Sequence, residues 1–173
     1  MAVEDYFLKL DGIDGESQDS KHTKEVELLS FYFKAFQAGT TGSATGGGGK
    51  GRVKLDDLTI MKKVDKASPK LFQACCSGEP VKKVVLTGRK AGKDQQDYLK
   101  ITMTDCVVSL FENVRSDEAL HGKVNPDQWE QVERISFNFA TIDYSYKEQK
   151  ADGTLSGEIK GSWNATKNNT QVP

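Results

Sequence analysis

Two histidines, three cysteines and one glycine-rich run are the residues of this chain whose types and spacing could do chemistry. His22 sits in Asp19-Ser-Lys-His-Thr-Lys-Glu25, where an acid can orient the ring. A nucleophile to go with it is not singled out among the scattered serines and threonines. His121 lies in a polar connector with no better claim. Cys75 and Cys76 are neighbours on a predicted helix, so their side chains point about 100° apart and cannot close an ordinary disulfide there. With Cys106 the only other thiol, no zinc framework exists, and buried thiols in a reducing compartment is the simplest reading. Asp14, Glu16 and Asp19 imitate a calcium loop, but the spacing departs from the EF-hand and no Glu follows at the last ligand position. Gly46-x-Gly48-x-x-Gly51 satisfies the dinucleotide fingerprint literally, yet Arg52-Val-Lys-Leu55 alternates and predicts a strand where that fingerprint needs a helix. Gly49-Lys50 lacks the spacing of a P-loop. No set of residues with assignable catalytic roles emerges. The sequence therefore predicts no enzyme, no cofactor and no metal.

The elements around these residues are mostly strands. Three runs alternate apolar and polar residues and then switch phase: Val53 and Leu55 to Leu58 and Ile60, Leu99, Ile101 and Met103 to Cys106, Val108 and Leu110, and Ile135, Phe137 and Phe139 to Ile142, Tyr144 and Tyr146. Side chains alternate faces along a strand, so a phase switch with burial maintained requires a bulge or a bend. Bends repeated on several strands curl a sheet into a small barrel or an orthogonal sandwich. Val26–Phe36 reads as one further strand with apolar residues on both parities, covered on both sides by its own fold or by another subunit. Ser68 is expected to cap a short helix with Pro69 at its first position, Gly78 ending it and Leu71, Phe72, Cys75 and Cys76 forming its apolar stripe. The predicted fold class is mainly β: a single compact β-barrel of two curved antiparallel sheets, with one flanking helix at residues 69–77.

Composition narrows the partners. The 173 residues suit one domain spanning 1–173, with a polar, frayed tail at 165–173. Its 24 basic and 25 acidic residues leave a net charge of −1, against a nucleic-acid or anionic membrane partner. The start of the chain lacks the basic head and apolar stretch of a signal peptide, so synthesis in the cytoplasm is expected. Gly39–Gly51 holds seven glycines in thirteen residues and almost no apolar side chains. Ordering it would be entropically costly with no burial to offset the cost. It is expected to be mobile or to be ordered by pairing with something outside the domain.

Several segments together carry a resemblance. Tyr6-Phe-Leu-Lys-Leu-Asp-Gly-Ile-Asp-Gly-Glu-Ser-Gln-Asp-Ser-Lys-His22, Val64-Asp-Lys-Ala-Ser-Pro-Lys-Leu-Phe72, Arg89-Lys-Ala-Gly-Lys-Asp-Gln-Gln-Asp-Tyr-Leu-Lys-Ile101 and Gln149-Lys-Ala-Asp-Gly153 resemble the haemolysin-coregulated protein (Hcp) family of bacterial type VI secretion, in the family's order. The resemblance implies a β-barrel with one side helix and assembly into homohexameric rings. It further implies that the rings stack into an inner tube driven out of the cell, whose lumen carries effectors and which works with tip, spike and sheath proteins. It also gives Gly39, Thr40, Thr41, Gly42, Gly46, Gly47, Gly48, Gly49, Lys50 and Gly51 the role of a loop contacting neighbouring rings. Where many members have Ser-Trp-Gly, this chain has Tyr32-Phe33-Lys34, so Ser30, Tyr32 and Lys34 are candidate lumen residues whose cargo preference would differ. A monomeric β-barrel binding a ligand or peptide is the alternative.

Overall fold

The computed structural model describes residues 4–37, 52–90, 95–115, 130–150 and 153–170. Eleven strands and one helix are found there: β1 (Glu4–Leu10), β2 (Val26–Leu28), β3 (Ser30–Tyr32), β4 (Ala35–Phe36), β5 (Lys54–Leu55), β6 (Leu58–Lys63), α1 (Ser68–Ser77), β7 (Val81–Lys90), β8 (Gln96–Arg115), β9 (Gln131–Asn138), β10 (Thr141–Gln149) and β11 (Leu155–Asn164). The main path is antiparallel and runs β2-β1-β7-β8-β9-β6-β3, with β10 and β11 branching from β8. Because β2 and β3 are separated by Leu29 alone, the two ends of the path meet, and Leu29 N–H donates to Met61 O across the join at 2.8 Å. The sheet curls back on itself without closing into a continuous barrel.

Each predicted phase switch is a corner between the two halves of this curled sheet. On β8, Leu99, Ile101 and Met103 face the core while the strand pairs with β7 and β10. Asp105 then takes φ of 51°; Cys106, opposite Val81 of β7, and Val108, opposite Phe137 of β9, face the core beyond it. A second irregularity between Val108 and Leu110 turns Leu110 outward, contrary to the simple alternation. The alternating run from Ile135 to Tyr146 breaks at Phe139 and Ala140 into β9 and β10. The run Arg52–Lys62 breaks at Asp56-Asp57, where Asp57 accepts from Ser109 Oγ at 2.5 Å and Asn138 Nδ2 at 2.8 Å.

Val26–Phe36, expected as one strand, is divided into β2, β3 and β4. It is a corner of the same kind: Val26 and Leu28 point inward while β2 pairs with β1, and Phe31 and Phe33 pack on the core after the chain crosses to β6. Within the subunit, apolar residues on both parities reach the same core because the chain turns.

Helix α1 plugs one end of the curl. Its buried face is Ser68, Leu71 and Ala74, with Ala67 just before it, whereas Phe72 and Cys76 are exposed and Cys75 is half-buried. Phe72 instead meets Phe111 edge-on at 5.6 Å. The N-cap is Ala67, not Ser68, because the Ser68 hydroxyl is engaged below the helix. It donates to Glu133 at 2.7 Å and accepts from Lys62 Nζ at 3.0 Å. The Asp65 carboxylate takes over part of the turn by accepting from Ala67 N–H at 3.0 Å. Gly78 ends the helix with φ of 68° and donates to Ala74 O. Residues Ala165–Thr170, expected to fray, form a turn tied by Asn164 N–H to Asn169 O at 2.7 Å and Ala165 N–H to Ala140 O at 2.8 Å.

Below α1 lies a buried polar cluster. Lys62 and Glu133 are cross-strand partners on the inward face of β6 and β9, and both are almost completely buried. Lys62 Nζ reaches Glu133 Oε2 at 2.7 Å, Asp65 Oδ1 at 2.7 Å and Lys63 O at 2.7 Å. With Ser68 added, every proton of the ammonium has an acceptor, which is the condition for burying a charge without a large penalty.

Candidate functional surfaces

The residues considered for chemistry are dispersed by the fold. His22 is buried to 5% exposure, its ring stacked on Phe7 at 4.4 Å with 8° between planes. Nδ1 lies 2.9 Å from Glu25 Oε2 and Nε2 3.1 Å from Asp97 Oδ1. Both ring nitrogens therefore meet carboxylates and neither meets a hydroxyl. A cavity of about 470 Å³ opens beside it, lined in part by Lys9, Lys21, Lys83, Lys100 and Thr87. Nearby, Arg89 Nη2 donates to Asp19 Oδ2 at 2.7 Å and the guanidinium lies over the Phe7 ring at 4.8 Å. The hydrogen bond from Arg89 holds the Asp19 carboxyl well below the usual carboxylate range, and backbone donation from Lys21 and His22 adds to this. His121 and Gly39–Gly51 lie outside the described residues. Among the described residues no group of three or more His, Cys, Asp or Glu is placed to hold a metal ion.

The cysteines are separate and free. Burial, with a smaller contribution from the Asp105 carboxylate, pushes the Cys106 thiol up to about 12. Since the thiolate is the reactive form, iodoacetamide at pH 8 should modify exposed Cys76 readily and leave Cys106 untouched until denaturant is added. Mass spectrometry of the alkylated protein reads this directly, and early labelling of Cys106 in the folded protein would contradict its burial.

Two outward surfaces differ in kind from these isolated groups. On the outer side of β3, β6, β9 and β8, cross-strand register aligns Tyr32, Thr59, Ser136 and Leu110 in one rung and Ser30, Met61, Arg134 and Glu112 in the next. Thr59 Oγ1 and Ser136 Oγ are 2.8 Å apart, and Arg134 pairs with Glu112 at 2.7 Å. Ser30 and Tyr32 thus share an outward face, with Tyr32 55% exposed. Lys34 follows β3, exposed, its carbonyl accepting from Asp56 N–H at 2.9 Å. Leu29 and Phe36 are also exposed.

The second surface is an overhang. Met103, Ile101 and Leu99 on β8 stand opposite Ile142, Tyr144 and Tyr146 on β10, which stand opposite Trp163, Gly161 and Ile159 on β11. Opposed residues of an antiparallel pair point to the same face, so this row continues the core-facing side of the sheet. The other half of the curl covers only its beginning. Ile142 is buried, but Tyr144 is 45% and Ile159 70% exposed. An aromatic run leads out from the core along it: Phe31 meets Tyr6 edge-on at 5.2 Å, Tyr6 Oη lies 3.4 Å from Tyr98 Oη, and Tyr98 meets Tyr146 at 6.2 Å. Gly88 opposes Tyr6 and Leu99, and a Cβ there would stand 3.1 Å from the Tyr6 ring. The sequence pattern identified Tyr144 and Tyr146 as core-facing but not that the core ends before them.

A family model described as "Type VI secretion system effector, Hcp" matches residues 7–146, most of the chain. The chain belongs to the Hcp family of type VI secretion. The resemblance carried by its N-terminal, helical and β7–β8 segments lies within that match and is thereby upheld. Protein hcp1 of Pseudomonas aeruginosa is 36% identical over 170 residues, covering 97% of this chain and 98% of its own length. Among solved structures, one titled as a type six secretion system protein superposes with a TM-score of 0.85 at 26% identity, over 98% of this chain and all of the other. Hcp1 from Salmonella typhimurium superposes with a TM-score of 0.72 at 32% identity, covering 96% of this chain and 97% of the other. The mainly β fold of this chain, with one short helix among the described residues, is thus shared as a whole with these relatives.

Proposed function

We propose that this protein is the ring-forming structural subunit of a type VI inner tube, a homohexamer whose rings stack and whose lumen carries effectors out of the cell. The observation that carries the reading is the overhang of β10 and β11. An apolar sheet face continuous with the core and left open in the single subunit is a surface made to be covered. A head-to-tail ring requires two different surfaces per subunit. Tyr144, Tyr146 and Ile159 supply one, and the exposed Leu29, Tyr32 and Phe36 supply apolar groups elsewhere on the curl.

In this reading Gly39–Gly51 joins neighbouring rings, and Ser30, Tyr32 and Lys34 border the channel. No catalytic role, cofactor or metal belongs to it. The occupation of both His22 nitrogens by carboxylates supports a positioning role for that ring rather than base catalysis. Tip, spike and sheath proteins are the further partners. Light scattering on the purified protein should give a mass near six times the 19.1 kDa subunit. A single-subunit mass at high concentration would instead favour a monomeric binding module.

A further inference from the structure

We propose that the cavity between the β1–β2 connection and the outer face of β1, β7 and β8 is a binding site for an anionic sugar, with lysines on its oxyanion and carboxylates on its hydroxyls. The cavity measures about 470 Å³, and small-molecule sites run from roughly 300 to 1,000 Å³. Its floor is the sheet. Lys83, Val85 and Thr87 alternate along β7 and so share a face, while Lys9 of β1 stands opposite Val85 and Lys100 of β8 opposite Thr87. Neighbouring strands lie about 4.8 Å apart and two residues span about 7 Å, which sets all three lysines within roughly 9 Å of Val85. The wall is the connection, which brings Asp11, Lys21, His22 and Glu25, together with Asp97 from β8.

Charges of both signs line this space, yet they do not pair across it. Among the described residues, Lys9, Lys83 and Lys100 have no carboxylate within ion-pair distance, and Asp11 has no cation. Glu25 and Asp97 each turn one oxygen to His22, at 2.9 and 3.1 Å. Glu25 Oε1 and Asp97 Oδ2 are left without a partner in the subunit. Thr87 is only 7% exposed, lines the cavity, and its hydroxyl is unpartnered too. A buried polar group left unpaired in a native structure needs an explanation, and here the unpaired groups border a single space.

The pattern of these groups selects the ligand. Ammoniums only donate hydrogen bonds and ionised carboxylates only accept them. A molecule that satisfies both needs an oxyanion for the lysines and donors for Glu25 and Asp97. Hydroxyls supply those donors without charge, whereas a ligand ammonium would be repelled by the lysines sharing the cavity. The Thr87 hydroxyl, donor and acceptor at once, serves either end. A bare anion leaves the carboxylates unmet, and a neutral sugar leaves the lysines unmet. A sugar phosphate or a sugar acid meets all of them, by the same charge-assisted hydrogen bonds.

Titration calorimetry of the full chain with glucose 6-phosphate, glucuronate, glucose and inorganic phosphate tests this. One of the two anionic sugars should bind saturably, at least about tenfold more tightly than glucose or inorganic phosphate, the scale of one charge-assisted hydrogen bond. Tighter glucose 6-phosphate assigns the oxyanion to a phosphate and tighter glucuronate to a carboxylate; either upholds the site. Lys83→Gln combined with Lys100→Gln should weaken that sugar at least about tenfold. Thr87→Val, which leaves every charge in place, should weaken it several-fold, with circular dichroism checking the fold of each variant. Lys9→Gln serves if the paired variant folds poorly. Inorganic phosphate binding as tightly as the sugars, no saturable binding of either, or undiminished binding in the folded variants overturns the proposal. So does tighter binding of an oligoglutamate peptide, which would give the face to an acidic protein segment.

Discussion

Glu133→Ala should destabilise the subunit by about 3–5 kcal/mol, the scale for stranding one member of a buried ion pair. Lys62 is fully buried and its ammonium sits 2.7 Å from Glu133 Oε2. Removing that carboxylate leaves Asp65, Ser68 and one carbonyl to hold the charge, and the Ser68 hydroxyl loses the acceptor to which it donates. The damage would spread to α1, whose first turn rests on this cluster. Urea unfolding followed by circular dichroism, at one fixed protein concentration because the proposed assembly would make stability concentration-dependent, measures the loss. The double variant Lys62→Met with Glu133→Leu should recover most of it, since an apolar pair of similar volume removes the stranded charge. A loss below about 1 kcal/mol in Glu133→Ala would mean that water or Asp65 compensates the lysine fully.

Tyr144→Glu combined with Ile159→Glu should take the assembly from ring mass to a single 19.1 kDa subunit. Both side chains are exposed on the overhanging face, diagonal to one another across β10 and β11. Substitutions at exposed positions of this kind usually change folding stability by no more than about 0.5 kcal/mol. In an interface the same charges would be buried unpaired, at several kcal/mol, and a closed ring repeats that cost at every junction. Light scattering gives the mass and circular dichroism checks that the fold survives. A ring that persists with both glutamates present would place the subunit contacts elsewhere on the molecule. That result would leave family membership untouched while removing the observation on which the proposed assembly rests.

The corners of the sheet were legible because burial and alternation are both local: Met103 and Cys106 cannot share a face on an unbroken strand, so the chain had to bend near Asp105. Gly78 was legible for the same kind of reason, its left-handed conformation ending the helix where the apolar pattern stops. Ser68 and Phe72 were not legible. Capping preference is worth about 1 kcal/mol, and it yielded to the buried ammonium of Lys62, which Glu133, distant in sequence, holds in place. Phe72 left the predicted stripe because Phe111, distant in sequence, offered an edge to pack on.

The two parities of Val26–Phe36 show the limit most clearly. A strand covered on both faces and a strand that turns between two sheets write the same residues, and only pairing with β1 and then β6 distinguishes them. In the same way the apolar row ending in Tyr144 and Tyr146 was present in the pattern, while its exposure depends on where the opposite half of the curl stops. Periodicity along the chain therefore determined the strands, their bends and the family resemblance, because those depend on neighbours a few residues away. Which faces are covered, which charges are buried and which surface is left for a partner depended on residues far apart in sequence being brought together, and the tertiary structure alone decided them.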